Sequence, residues 1–186
     1  MKKEKIILKN DQESRTIYGS VWAPEGKPVA VLQLIHGMTE YIDRYDEFAT
    51  YFTNLGYLVC GFDLESHGRA AHQEIHGLYI DHWNNLIEDV ELFRSEMHHR
   101  YPEIPYVMLG FSILRSHQCV YPEAADKLIY VGTGQPKRNE LKFAHWLISV
   151  LCKKDNKPSE LVKKLAFDNY NRKFKHSKSG IDWLLK

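Results

Sequence analysis

The stretch "YVMLGFSILRS" (Tyr106–Ser116) passes from one kind of structure to another with almost no connection. "YVML" is a short apolar run of the kind that forms a strand buried on both faces. Gly110 ends it, and "SILRSHQCV" follows at once with helical character. A serine held on a sharp strand-to-helix turn is the arrangement of a nucleophile elbow, whose pattern is G-x-S-x-G. Gly110 and Ser112 supply the first half of that pattern, but Leu114 stands where its second glycine belongs.

The same rhythm runs through the chain on either side. "KIILK" and "RTIYGSVWAP" read as two antiparallel strands, and "VAVLQLIHG" (Val29 to Gly37) as a short apolar strand rich in β-branched residues and ending at a glycine. "DRYDEFATYFTNLG" places Tyr45, Phe48, Ala49 and Phe52 at helical spacing, with Gly56 where a helix ends. "YLVCGFD" is the next buried strand. "HWNNLIEDVELFRSEMHHRYP" is a long amphipathic helix stopped by Pro102, and "ADKLIYVGTG" holds one more strand. Alternating strands and helices predict an α/β fold around a mostly parallel sheet. After Gln135 the chain keeps helical patterning with no further buried strand, so residues 1–134 are expected to form the core and 135–186 a helical segment.

Bulk properties exclude several classes. The 186 residues suit one domain, 44% are hydrophobic and 26% charged, and the net charge is +1. That balance gives no global field to attract nucleic acid or an anionic membrane. No apolar run approaches a membrane span, and "MKKEKIILKN" lacks the apolar core of a secretory signal. Cys60, Cys119 and Cys152 are odd in number and widely spaced, as expected of thiols in a reducing cytoplasm. "HGRAAHQEIHG" offers His67, His72 and His76 and includes an i, i+4 pair, but no H-E-x-x-H and no third ligand at a telling distance, so no metal site and no cofactor is expected.

"LIHGMTEYIDRYDEFATYFTNLGYLVCGFDLESHG" resembles the α/β-hydrolase branch of monoglyceride lipases and lysophospholipases, also described as serine aminopeptidase-like. "YIDHWNNLIEDVELFRSEMHHRYPEIPYVMLG" and "YPEAADKLIYVGTGQP" continue the likeness in order. The resemblance implies an α/β-hydrolase core made of the first six strands, a partial helical cap, and absence of the family's last strands. It implies acyl-transfer chemistry on a small carboxylic ester or lipid, in which N–H donors must face the oxygen that becomes anionic. It places those donors at the backbone of Met38 and of Ile113, and the nucleophile at Ser112. His36, Gly37, Glu40, Arg44 and Gly110 are implied as structural residues beside the site. Asp63, His67 and Gly68 lie in "DLESHG", where the family has D-x-R-G-H-G, and are implied as loop-holding residues.

Two departures qualify what the resemblance implies. Read from the left, Gly110-Phe111-Ser112 matches the family's G-H-S. Read from the right, "ILRSHQCVYPEAADKL" matches the helix after that motif, with about one helical turn lost and the nucleophile within the loss. Both readings stand at this stage, and Leu114 is expected either to push helix and strand apart or to fill the pocket. Downstream, His176 and Asp182 lie in a cap-like segment and not on the strands that carry the family's catalytic acid and histidine. The chain is therefore expected to be incomplete or inactive by itself. The strand spanning Lys127 to Gly132 is expected to leave an edge open to self-association or to a partner chain.

Overall fold

The computed structural model describes residues 1–10, 15–38, 40–71, 82–132, 134 and 137–151. It divides into two units, Met1–Thr133 and Gly134–Lys186. The first is the α/β structure anticipated from the alternation of strands and helices. Its strands are β1 (Lys2–Asn10), β2 (Arg15–Ala23), β3 (Ala30–Ile35), β4 (Tyr57–Asp63), β5 (Tyr106–Phe111) and β6 (Lys127–Val131). They form one six-stranded sheet in the order β1-β2-β4-β3-β5-β6. β1 and β2 run antiparallel to their neighbours, while β4, β3, β5 and β6 are mutually parallel.

Alternation of side chains along β3 builds a core on each face of the sheet. Val31 and Ile35 join Leu58, Met108, Val90, Phe93 and Met97 on one face, where helices α2 (Trp83–Arg100) and α3 (Ile113–Val120) pack. Leu32 and Leu34 join Trp22, Ile42 and Val59 on the other, under α1 (Asp46–Asn54). A short 3-10 turn, Ile42–Tyr45, leads into α1, and Gly56 closes that helix with φ +86°, a conformation that suits glycine. Gln33 is the polar exception inside β3. Its amide donates to the Val90 carbonyl and accepts the Tyr106 hydroxyl at 2.7 Å, so burial leaves neither end unpaired.

The parallel arrangement carries β3, β4 and β5 to a common end of the sheet. Among the described residues β1 and β6 are its edges. On β6, Ile129 is 45% and Tyr130 38% exposed. In the second unit, α4 (Arg138–Leu151) presents Leu141, Phe143, Trp146, Ile148 and Val150 as exposed side chains. Among the described residues no helix is long and apolar enough to cross a membrane, and no group of three or more His, Cys, Asp or Glu residues could hold a metal. His72, His76, His176 and Asp182 lie outside the described residues.

Candidate active site

The turn after β5 is one of three points among the described residues where a non-glycine residue holds a positive φ. Ser112 has φ 36° and ψ −70° and is exposed, with β5 ending immediately before it and α3 beginning immediately after. A non-glycine residue at positive φ costs of order 1–3 kcal/mol and persists only where its surroundings fix it. Those surroundings are Ile113 and Leu114, both buried in the core. Serine is a favoured helix N-cap, yet Ser112 makes no side-chain capping bond, which leaves Oγ uncommitted to the helix. The Ile113 N–H is among the amides that a helix leaves without an intrahelical acceptor at its first turn.

Leu114 neither separates helix from strand nor occupies a pocket. It is fully buried in the core, and glycine at 110 accommodates it. A Cβ at Gly110 would lie 3.0 Å from the Leu114 Cβ and 2.9 Å from the Ile35 Cβ. The absence of a side chain on the strand thus makes room for Leu114, a compensation that the motif pattern does not anticipate.

Ile35 of β3 is directly opposite Gly110 of β5, so the two chains leave the sheet side by side. Two residues on, Gly37 lies against the ring of Phe111, its hypothetical Cβ 3.5 Å from Phe111 Cγ. Glu40 holds this turn. Its Oε2 accepts the Gly37 N–H at 2.9 Å and the Tyr45 hydroxyl at 2.8 Å, and its own N–H donates to the Gly37 carbonyl at 3.2 Å. Burial and the Glu40 carboxylate push the Tyr45 hydroxyl well above its ordinary value, keeping it a donor. The Gly37 amide is committed to Glu40, and Met38, the next residue, is 60% exposed. Arg44 is exposed on the following 3-10 turn, its N–H donating to the Tyr41 carbonyl.

His36 ties this turn to the one after β4. Its Nδ1–H donates to the Gly37 carbonyl at 2.9 Å and its Nε2 accepts the Leu64 N–H at 3.0 Å. Burial lowers its pKa to about 4, so the ring is neutral at pH 7 with both nitrogens in use. Asp63, also buried, accepts the Ile42 N–H on one oxygen and both the backbone and side chain of Arg69 on the other. Gly68 (φ +47°) must be a glycine, because a Cβ there would lie 2.4 Å from the Asp63 carboxylate. His67 is buried beside His36, ring centroids 5.1 Å apart, with Nδ1 near the Glu65 carbonyl at 2.7 Å.

Arg69 was not signalled by the sequence. Its guanidinium reaches the Tyr18 and Gly19 carbonyls and Ser20 Oγ on β2, about fifty positions earlier, a relation that only the sheet order creates. A cleft of about 370 Å³ opens beside it, lined by Arg15, Tyr18, Asp63, Glu65, Arg69 and Asp89 among others. Burial, with Glu65 and Glu88 nearby, raises the Asp89 pKa to about 6, and Arg15 offsets this only in part. The cleft sits on the β2–β4 side of the sheet, and Ser112 is not among its lining residues.

Residues 26–170 match the family described as serine aminopeptidase, S33. The chain is 33% identical over 97 residues to the monoglyceride lipase homolog of monkeypox virus, covering 52% of this chain and 34% of that protein. It is 30% identical over 122 residues to the monoacylglycerol lipase of Mycolicibacterium smegmatis, covering 63% and 42%. It therefore spans less than half the length of either relative. Among solved structures, a thermostable carboxyl esterase from Bacillus coagulans in complex with glycerol superimposes with a TM-score of 0.80 at 21% identity, over 98% of this chain and 61% of that one. An open-form lipase gives 0.78 at 22%, over 96% and 61%.

Proposed function

Because the chain belongs to the serine aminopeptidase S33 family and has the α/β-hydrolase fold, we propose that it carries the nucleophile half of a carboxylic-ester hydrolase acting on monoacylglycerol- or lysophospholipid-like substrates. Ser112 is the nucleophile, and the Met38 and Ile113 N–H groups form the oxyanion hole. His36, Gly37, Glu40, Asp63, His67, Gly68 and Gly110 hold the loops that carry them, with Arg44 on the flanking turn. The observation that carries this reading is Ser112 itself, exposed at a positive φ on a strand-to-helix turn beside the Gly37 turn.

The chemistry needs more than these parts. Attack of Oγ on an ester carbonyl forms the acyl-serine only if a base accepts the hydroxyl proton, and the base needs an acid to orient it. His36 cannot serve, because its Nε2 already accepts the Leu64 N–H. His117 is fully buried, with Nε2 on Glu91 and Nδ1 inside the core, so it presents no nitrogen to the site. We take the single chain to be incomplete or inactive alone. Two further readings have observations in their favour. The exposed apolar side chains of α4 favour a non-catalytic acyl-binding protein, with residues 135–186 as a partial cap. The exposed β6 favours one half of a split hydrolase that meets a partner, or a second copy, along Lys127 to Gly132. A cytoplasmic location fits free thiols at Cys60 and Cys119.

A fluorophosphonate probe and a short p-nitrophenyl ester separate these readings. The isolated chain is expected to hydrolyse the ester no faster than its Ser112→Ala variant. Ser112-dependent turnover well above that background overturns the incomplete-chain reading. Labelling that appears only when a downstream fragment is added supports the split hydrolase. Saturable fatty-acid binding without labelling supports the binder.

A further inference from the structure

α3 reaches the core with three side chains, Ile113, Leu114 and His117. Two are apolar. The third is a fully buried imidazole, and its Nδ1 has no hydrogen-bond partner among the described residues. A buried, unpaired ring nitrogen is unfavourable, and an aliphatic side chain would pack at such a position without that penalty. Packing alone therefore does not account for His117. What the ring adds is one directional bond, its Nε2 lying 3.0 Å from Glu91 Oε2 on α2. The acceptor is itself immobilised. Arg94 grips both Glu91 oxygens, with Nε at 2.9 Å from each and a terminal nitrogen at 2.6 Å from one, and Ser95 Oγ donates at 3.2 Å. Burial would raise the Glu91 pKa, but the bonds from His117, Arg94 and Ser95 outweigh it and bring it down to about 2. Facing a carboxylate, Nε2 carries the proton and donates. The Tyr121 ring lies against the imidazole at 5.1 Å between centroids.

We propose that Glu91 and His117 are positioning residues: their bond fixes the rotation of α3 about its axis, and so the direction in which Ser112 Oγ and the Ile113 N–H face the site. An eight-residue helix held by two adjacent apolar side chains can roll in its seat. A hydrogen bond one turn further along, to an anchored carboxylate, removes that freedom. The inference rests on the reading of the Ser112 turn given above.

The test must report on the turn without requiring turnover. Ser112→Cys is made in a Cys119→Ser, Cys152→Ser background, leaving buried Cys60, and the thiol pKa is read from the pH dependence of iodoacetamide alkylation. A thiol at a fixed helix N-terminus is expected to titrate at or below about 7.5, against about 8.5 for a free cysteine. Adding His117→Leu is expected to raise that value by about half a unit or more. Glu91→Gln keeps an acceptor for Nε2–H and is expected to leave it at the parent value. Circular dichroism and thermal midpoints establish that each variant is folded, and Glu91→Ala gives the same reading should His117→Leu fail to fold. A depressed pKa that does not move when the pair is broken overturns the positioning role and leaves the elbow intact. An ordinary pKa already in Ser112→Cys overturns the elbow reading, and the positioning role falls with it.

Discussion

Replacing Leu114 tests how the β5–α3 turn is built. The side chain is fully buried and packs against Gly110, so its removal empties a core site. Truncating a buried leucine to alanine costs about 2–5 kcal/mol, depending on how far the cavity collapses. Glycine in place of alanine adds about 1 kcal/mol more within a helix. Leu114→Gly is therefore expected to lose about 3–6 kcal/mol, moving the urea midpoint down by about 1.5–3 M if the slope is near 2 kcal/mol/M. A motif reading that places an elbow glycine at 114 gives the opposite sign, because restoring the glycine would relieve crowding. An unchanged or raised midpoint would refute the packing described here. Gly110 supplies a control. Gly110→Ala puts a methyl 2.9 Å from the Ile35 Cβ and 3.0 Å from the Leu114 Cβ, and is expected to destabilise by about 1–3 kcal/mol through overpacking. Combined with Leu114→Gly, which removes the Leu114 Cβ, part of that crowding disappears, so the double variant is expected to be more stable than the sum by at least about 0.5 kcal/mol. Strict additivity would mean that the two residues do not touch.

Three further outcomes are expected. Ser112→Gly should raise the thermal midpoint, since glycine adopts positive φ without strain worth about 1 kcal/mol, whereas Ser112→Ala should change it little; a destabilised glycine variant would show that the serine side chain holds the turn. His36 titrates at about 4 in the folded chain against an ordinary 6.5, so the unfolded chain binds its proton first. Its contribution is complete above pH 6.5 and falls by up to about 3 kcal/mol as pH drops to 4. Asp89, raised to about 6 from 3.8, acts oppositely over an overlapping range, so His36→Gln must be compared with the parent at each pH; equal slopes in the two between pH 6.5 and 4 would remove His36 as the cause. Ile129→Lys, on the exposed β6, should lower the mass seen by light scattering if that edge mediates self-association, and a parent chain that is monomeric at high concentration counts against such an edge contact.

What was legible in the sequence was whatever is written locally. The apolar runs at Ala30–Ile35, Tyr57–Asp63 and Tyr106–Phe111 carry their strand character in their own composition, and Gly56 and Pro102 punctuate them. Parallel order followed from the helices between them. Illegible were the relations that the sheet order imposes across long separations. Arg69 and β2 are about fifty positions apart, and His117 and Glu91 are 26 apart. No spacing rule connects them, yet they determine how the loops and α3 are held. Leu114 was misjudged for the same reason: its seat is made by Gly110 and by Ile35 on another strand, so a motif read along one stretch of chain could not show that the space exists.

The polar groups near the common strand end divide into those that build the turns and those left over. Glu40, His36, Asp63 and Arg69 spend most of their hydrogen bonds on backbone amides and carbonyls, and Gly37 gives its amide to Glu40. Ile113, Leu114 and His117 are the buried side chains of α3, at whose start Ser112 holds its positive φ. None of these constraints passes through Ser112 Oγ, so the shape of the turn does not depend on the hydroxyl. Shape and reactivity are separable for that reason. Ser112→Ala should fold like the parent whatever the parent catalyses, which makes it a clean background for ester hydrolysis. A difference in turnover between the two then reports on the hydroxyl's chemistry, because the scaffold around it is held by other residues.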